Sequence, residues 1–474
     1  MMFRRGAATL FAAALVLGAC SSGGGATTAP TAPPKTAAPV TQAPATQAPV
    51  TQAPVTQAPA TQAPQSVAPP SSTASTGAQA VINWYHIQNN DPGKTLWQTL
   101  ADEYMAAHPD VKVNVNYLEN EAFKTKLTTL LQAQTPPDLF QSWGGGGLRQ
   151  QAEAGLVQDI TDAVAPWAST INPGAMGMYQ VDGKQYGIPF DLGMVGFWYN
   201  KQQLADAGIT VPPATWDDFL ADIQTLKTKG TTPIALAGKD TWTGAFYWAY
   251  LAVRECGKEG MDKAVTTADW TDPCFTKAGE DFQKLIALEP FQEGFGAAPW
   301  DGAGSSAAAM ASGNGAIQLM GQWLPGTVSA NSADKQGMGD NLGWFPFPAV
   351  TGGAGDANDG LGGGNGFAIG KNAPMPQTAD FLHFLVSTDA ATRWGALNSG
   401  ILPTTVGTES SVTDPQLKDV LAARAKANFV QLYLDQATTP DLGAAINEAV
   451  ATLYSGSGTP ESVAQAINTA AQNQ

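Results

Sequence analysis

The chain has 474 residues, 43% of them apolar, with 24 Lys and Arg against 40 Asp and Glu, a formal charge of −16. That length and apolar content suit large buried cores and two or three domains. Residues 1–79 hold three basic side chains (Arg4, Arg5, Lys35) and no acidic one, leaving 21 basic against 40 acidic on residues 80–474, a formal −19. Such an acidic body argues against nucleic acid as partner, since phosphate recognition needs clustered Lys and Arg. Three scattered histidines and two cysteines late in the chain (Cys256 and Cys274) leave too few ligands for a Cys/His zinc site. Neither a metal nor another cofactor is expected.

Arg4 and Arg5 open a short basic region, residues 7–17 are apolar, and Leu17-Gly18-Ala19-Cys20 follows. That order is a secretory signal peptide, too short for a spanning helix. Small residues ahead of Cys20 resemble a bacterial lipobox, in which the cysteine carries lipid; the alternative is an ordinary signal peptide with Cys20 near its cut. Acyl chains contribute about 0.8 kcal/mol per buried CH₂, enough for several to hold a protein at a membrane surface. Residues 21–79 form a tether. Thr-Gln-Ala-Pro recurs at 41, 46, 51, 56 and 61, and proline every fifth residue forbids helix and favours a semi-rigid, partly polyproline II spacer. Past the leader, no apolar run reaches the roughly 18 residues that a membrane span needs.

The body alternates strand and helix. Residues 81–85 read as a strand, Leu96, Trp97, Leu100 and Tyr104 as a helix face stopped at His108-Pro109, and Val111, Val113, Val115 and Tyr117 as a period-two strand. Phe123, Leu127, Leu130 and Leu131 mark another helix, and Asp138-Leu139-Phe140 a third strand. This β-α-β-α-β order predicts a mainly parallel sheet with helices on both faces. Further on, Thr215 and Asp218 cap a helix over 213–229, Ile234-Ala235-Leu236 reads as strand, and 245–253 as an aromatic helix. More helices are expected at 277–288, 378–387, 415–426, 442–454 and 460–471. That is too much alternation for one ordinary sheet, so two α/β lobes are expected. Outside the cytoplasm, Cys256 and Cys274, 18 residues apart, read as a disulfide worth about 3 kcal/mol on the chain-entropy model.

All 13 tryptophans lie in the body. Trp143 precedes four glycines at the carboxyl end of the third predicted strand, where ligands of open α/β sheets bind. Trp84 and His86 close the first strand, and Trp242 and Trp323 stand beside glycine and short polar residues. A sugar offers a C–H face to an aromatic plate and a rim of hydroxyls to Asp, Asn and Gln. Any one tryptophan taken alone reads more readily as core than as a contact.

An ordered series of motifs runs through the body. It comprises Pro137-Asp138-Leu139-Phe140 with Trp143, Ala154-Gly155-Leu156-Val157 with Asp159-Ile160-Thr161, Gly183-Lys184-Gln185-Tyr186-Gly187-Ile188-Pro189 with Trp198-Tyr199-Asn200, and Pro213-Ala214-Thr215-Trp216. Ala308-Ala309-Met310, Gly321-Gln322-Trp323, Gly364-Asn365-Gly366-Phe367-Ala368-Ile369 and Gly400-Ile401-Leu402-Pro403 complete it. In this order, behind a lipobox, residues 80–474 resemble family 1 of the extracellular solute-binding proteins, the carbohydrate-binding components of bacterial ABC importers. The resemblance implies a two-lobed α/β fold of the periplasmic-binding-protein type, hinged around a ligand cleft. It implies lobe 1 over 80–190 with about 363–400, lobe 2 over about 191–362 with 401–474, and crossings within 186–200, near 345–362 and near 397–403. Trp143 and Trp323 match sugar-contacting positions, Trp242 an aromatic position on the second lobe, Asp191 an acidic hinge position that bonds sugar hydroxyls, and Asn365 a glycine-rich turn near the ligand. Trp84 and His86 complete the expected ligand set. Gly144–147 depart from the acidic and basic residues that some maltodextrin binders carry there. The implied partners are a mono- or oligosaccharide, the permease subunits of an ABC transporter and a membrane reached through lipidated Cys20, with the protein a monomer. A secreted glycoside hydrolase remains the alternative, with Asp191 and Glu119 or Asp240 as a carboxylate pair.

Overall fold

The computed structural model describes residues 79–473. The leader, Cys20 and the proline-rich repeats lie outside the described residues. Strand β1 (Ala80–His86) pairs in parallel with β2 (Val111–Tyr117) on one side and β3 (Leu139–Ser142) on the other. Helices α1 (Gly93–Ala107) and α2 (Asn120–Gln132) supply the crossovers that parallel pairing requires. The expected β-α-β-α-β unit is therefore present. Strands Gly366–Ile369 and Gly187–Pro189 extend the sheet beyond β3, each antiparallel to its neighbour. Gly366–Ile369, which enters on return from the second half of the molecule, runs against the other four strands; Gly187–Pro189, reached before the chain first leaves this half, points the same way as β1–β3.

Helices cover both faces of this sheet. One face buries Ile82, Trp97, Leu139, Phe367, Phe381 and Trp394 in a first core. On the other, Phe123, Phe140, Leu148 and Tyr179 pack together under α2 and α3 (Gly145–Glu153). A second, larger core gathers around the antiparallel strands Leu342–Phe345, Gly196–Asn200 and Ile317–Met320. Against it lies the helix Trp216–Thr228, which buries Trp216, Phe219, Ile223 and Leu226 at helical spacing. Its start is the expected capping box: Thr215 Oγ1 accepts from the Asp218 amide at 3.1 Å and Asp218 Oδ2 from the Thr215 amide at 3.1 Å. The aromatic helix is longer than its apolar run suggests, Trp242–Thr267, with its axis broken at Gly257. A disulfide joins Cys256 in it to Cys274 in the helix Pro273–Ile286.

Two expectations need correction. Ile234-Ala235-Leu236 is not a strand: only Ile234 forms isolated bridges, with Phe291 and Ile317. A side-chain amide occupies the position of a neighbouring strand: Gln292 Oε1 accepts from the Leu236 amide at 2.8 Å and its Nε2 donates to the Leu236 carbonyl at 2.7 Å. Trp84 and His86 are the second correction, because both are 0% exposed and neither lines the cleft. Along β1, Ile82, Trp84 and His86 fall on one face by the two-residue repeat, and that face carries the first core. Trp84 meets Trp97 edge-on at 5.2 Å between centroids, and His86 lies 4.6 Å from Trp84 with Nδ1 accepting from the Gln88 amide.

Burial lowers the His86 pKa from 6.5 to about 3. The folded state thus holds the imidazole neutral while the unfolded chain protonates below about pH 6.5, so this group's contribution to stability is full above that pH and is lost on acidification. The slope is about 1.4 kcal/mol per pH unit down to the folded value. Urea denaturation at pH 6.5 and 4.5 is expected to show the parent protein losing roughly 2–3 kcal/mol more than His86→Gln over that interval; equal losses would place His86 in contact with water.

Candidate functional site

The chain passes between the two cores three times. Phe190 belongs to the first core and Met194 to the second; Leu361 belongs to the second and Phe367 to the first; Ile401 belongs to the first and Leu402 to the second. All three passages meet at Asp191, which is 1% exposed. Its Oδ2 accepts from Asn365 Nδ2 at 2.7 Å and Gln322 Nε2 at 3.0 Å, and its Oδ1 accepts from the Leu402 amide at 2.9 Å. Main-chain bonds repeat the pattern: the Asn365 amide donates to the Asp191 carbonyl, and the Leu192 amide to the Leu402 carbonyl. Gln141 Nε2 holds Asn365 Oδ1 at 2.8 Å from the end of β3. Burial raises the Asp191 pKa to about 6, against the lowering effect of these donors and of the nearby Arg424 charge.

Beside this joint, residues of both cores line one cleft with an empty volume, mouth included, of about 1120 Å³. Trp143, Asp191, Trp242, Trp323 and Asn365 of the expected set face it together. Nine of the 13 tryptophans are buried, and the other four (Trp143, Trp242, Trp300 and Trp323) are the four that line the cleft. Burial therefore sorts the cleft-facing rings from the core residues without reference to motif. Trp242 stands 6.0 Å from Trp300 and 6.4 Å from Trp323 between centroids, and Trp323 stands 6.2 Å from Tyr433. These rings make one aromatic wall on the second-core side. Trp143, edge-on to Phe123 at 5.9 Å, faces it from the first. Trp242 Nε1 and Tyr433 Oη have no hydrogen-bond partner within the protein.

Sequence reasoning missed Trp300 and Tyr433. Pro299-Trp300-Asp301-Gly302 has the same turn-rich setting that singles out Trp242 and Trp323, so that signal was available. Tyr433 sits between Leu432 and Leu434, where nothing distinguishes a plate from a core residue.

The polar lining is mainly amide: Gln88, Asn89, Asn90, Asn120 and Gln436. Burial holds the Asp435 carboxyl above its usual range, opposed by the Lys124 charge. The carboxylates considered for hydrolysis all have structural partners. Asp191 is fully engaged, Glu119 Oε2 caps α2 through the amides of Glu121 and Ala122 while its Oε1 accepts from Trp300 Nε1 at 3.2 Å, and Asp240 Oδ2 accepts from the Trp300 amide. Among the described residues no group of three or more His, Cys, Asp or Glu could hold a metal ion, and no helix is long and apolar enough to cross a membrane.

Two α/β halves around separate cores, three chain passages and an aromatic cleft define a two-lobed solute-binding fold. Residues 88–392 match the model of the bacterial extracellular solute-binding protein family, and the chain belongs to that family. It is 26% identical over 291 residues to an ABC transporter extracellular-binding protein of Pyrococcus horikoshii, covering 59% of this chain and 63% of that one. It is 31% identical over 200 residues to the diacetylchitobiose binding protein DasA of Streptomyces coelicolor, covering 40% and 44%. The chain thus spans less than two thirds of the length of these relatives. A structure from work on xylan utilisation by the thermophilic bacterium Caldanaerobius polysaccharolyticus superposes with a TM-score of 0.76 at 25% identity, over 82% of this chain and 99% of the other. Membership of a binding family, with each candidate carboxylate already bonded, sets the hydrolase reading aside.

Asp191→Ala leaves two side-chain amides and the Leu402 N–H without their acceptor in a buried place. Loss of one partner from such a group typically costs about 3–5 kcal/mol. Urea denaturation is expected to show a loss of that order, against under about 1 kcal/mol for an exposed carboxylate such as Asp206→Ala; a loss as small as the control would mean that Asp191 does not hold the passages together.

Proposed function

We propose that this protein captures a sugar or oligosaccharide in the cleft and presents it to the permease of an ABC importer, with a lipid on Cys20 and the proline-rich tether holding the body at the outer face of the membrane. The observation that carries the reading is the sorting of the tryptophans. The four half-buried indoles all face one cleft, from both cores, among neutral amides. Indoles stack on the C–H face of a pyranose, while amides both donate to and accept from its hydroxyls. A peptide, metal or polyamine site would call for charged or His clusters instead.

The two cores correspond to lobe 1 over 80–190 with about 363–400 and lobe 2 over about 191–362 with 401–474. Ligand favours the closed arrangement by touching both walls at once, and no covalent step is needed. Relatives named for the sugars that they bind, among them diacetylchitobiose and melibiose, raffinose and stachyose, support carbohydrate as the ligand class. Asp191 has its oxygens taken, so direct polar contacts with sugar fall to the free amides of the cleft, to Asp435 and to the unpartnered Tyr433 hydroxyl. Asp191 then serves the ligand by setting the axis on which the lobes turn.

A thermal-shift panel of mono- and oligosaccharides on residues 80–474 tests the ligand class, because a ligand that binds only the folded state raises the melting temperature by mass action. At least one carbohydrate is expected to do so, and Trp143→Ala or Trp323→Ala to weaken its affinity about tenfold, for a stacking loss of about 0.5–1.5 kcal/mol plus lost area. A panel in which only amino acids, peptides or polyamines shift the transition would reject carbohydrate.

A further inference from the structure

None of the four glycines after Trp143 lines the cleft, and close backbone packing accounts for Gly144, Gly145 and Gly146. At the start of α3, a Cβ on Gly145 would lie 2.2 Å from the Gln436 carbonyl oxygen, and one on Gly146 would lie 2.1 Å from that of Thr438. Both oxygens belong to the segment around the short helix Leu434–Ala437, which packs on the second core through Leu434. The Leu148 side chain of α3 belongs instead to the sheet of the first half. Bare backbone of one half therefore beds against backbone of the other, at a separation that no side chain tolerates.

Two further bonds cross the cleft mouth in the same arrangement. Asn90 Nδ2, in the loop after β1, donates to Asp301 Oδ2 at 2.9 Å, and Trp300 Nε1 donates to Glu119 Oε1 at 3.2 Å. Asp301 is itself fixed to the second half by Asn331 Nδ2 at 2.6 Å, and Glu119 is fixed to the first as the cap of α2.

We infer that Gly145 and Gly146 form a closure seam, and that this seam and the Asn90–Asp301 and Glu119–Trp300 bonds are one cooperative latch holding the lobes shut. The inference rests on the lobe-closure reading above and adds to it the residues that set how far the lobes close. Aromatic plates and amides bind a ligand in the closed cleft; the bare glycine backbone decides whether the cleft can reach that state. A side chain at 146 would keep the halves apart by more than an ångström, and the mouth bonds at 2.9 and 3.2 Å would then be out of reach.

Gly146→Ala is a clean probe, because alanine is a better helix former than glycine and Gly146 has no positive φ. The first half keeps its own structure and only the approach to Thr438 is blocked. Amide hydrogen exchange on the whole chain, without ligand, reads the result. Exchange is expected to rise about tenfold both at 434–439 and at the mouth segments 88–92 and 299–303, with 246–253 in the second core unchanged. Trp300→Phe keeps the ring and removes its N–H, adding no bulk, and is expected to speed exchange reciprocally at 145–148 and 434–439. Faster exchange confined to the segment next to either substitution, or none, overturns the latch. Repeating the measurement with the sugars of the thermal panel separates the two proposals: if no sugar protects the parent cleft, carbohydrate capture fails while the ligand-free coupling still decides the latch.

Discussion

A single buried carboxylate carries the architecture. Asp191 lies where the chain first leaves one core for the other, and its two oxygens collect donors from residues 322, 365 and 402, far apart in sequence. An ion in so dry a place is costly unless every lone pair that can be used is used. Burial still raises its pKa from 3.8 to about 6, so desolvation outweighs the bonds that favour the charge. Those bonds make the joint specific, since a slipped register at any passage would strand a charge or a donor. The halves keep separate apolar cores, and the three passages between them are tied together at this joint.

Aromatic residues divide their labour according to burial. Trp84, Trp97 and Trp394 tie α1 and the helices beyond residue 374 to the first sheet, and Trp216, Trp248 and Trp270 do the same around the second core. Their contribution is area removed from water, on the order of 1.5–3 kcal/mol for a large apolar side chain. The four cleft tryptophans keep a face exposed and hold their geometry through edge contacts with one another and with Phe123 and Tyr433.

Local pattern made much of this legible in the sequence. The alternation of Val111, Val113 and Val115, the Thr215–Asp218 cap and the helical stripes each depend on neighbours a few residues away, and the structure has them where expected. The face of β1 is equally readable, because Ile82, Trp84 and His86 share parity, and that simple signal, rather than aromatic identity, places Trp84 and His86 in the interior. What stayed hidden depends on partners far along the chain. Nothing near Asp191 shows that Gln322, Asn365 and Leu402 saturate it. Nothing near Ile234 shows that the Gln292 amide stands in for a strand, and nothing near Gly146 shows the Thr438 carbonyl against it.

The state of the Asp191 carboxyl is the most direct measure of whether such a joint exists. Carbon-13 NMR of the side-chain carboxyl, assigned with an Asp191→Asn control, follows its titration in the folded protein. A dry carboxylate held by three donors predicts a midpoint near 6, with the resonance insensitive to added salt. A midpoint near the ordinary value of about 4 that moves with ionic strength would show a solvated surface group, and the two halves would need some other connection to hold their cleft.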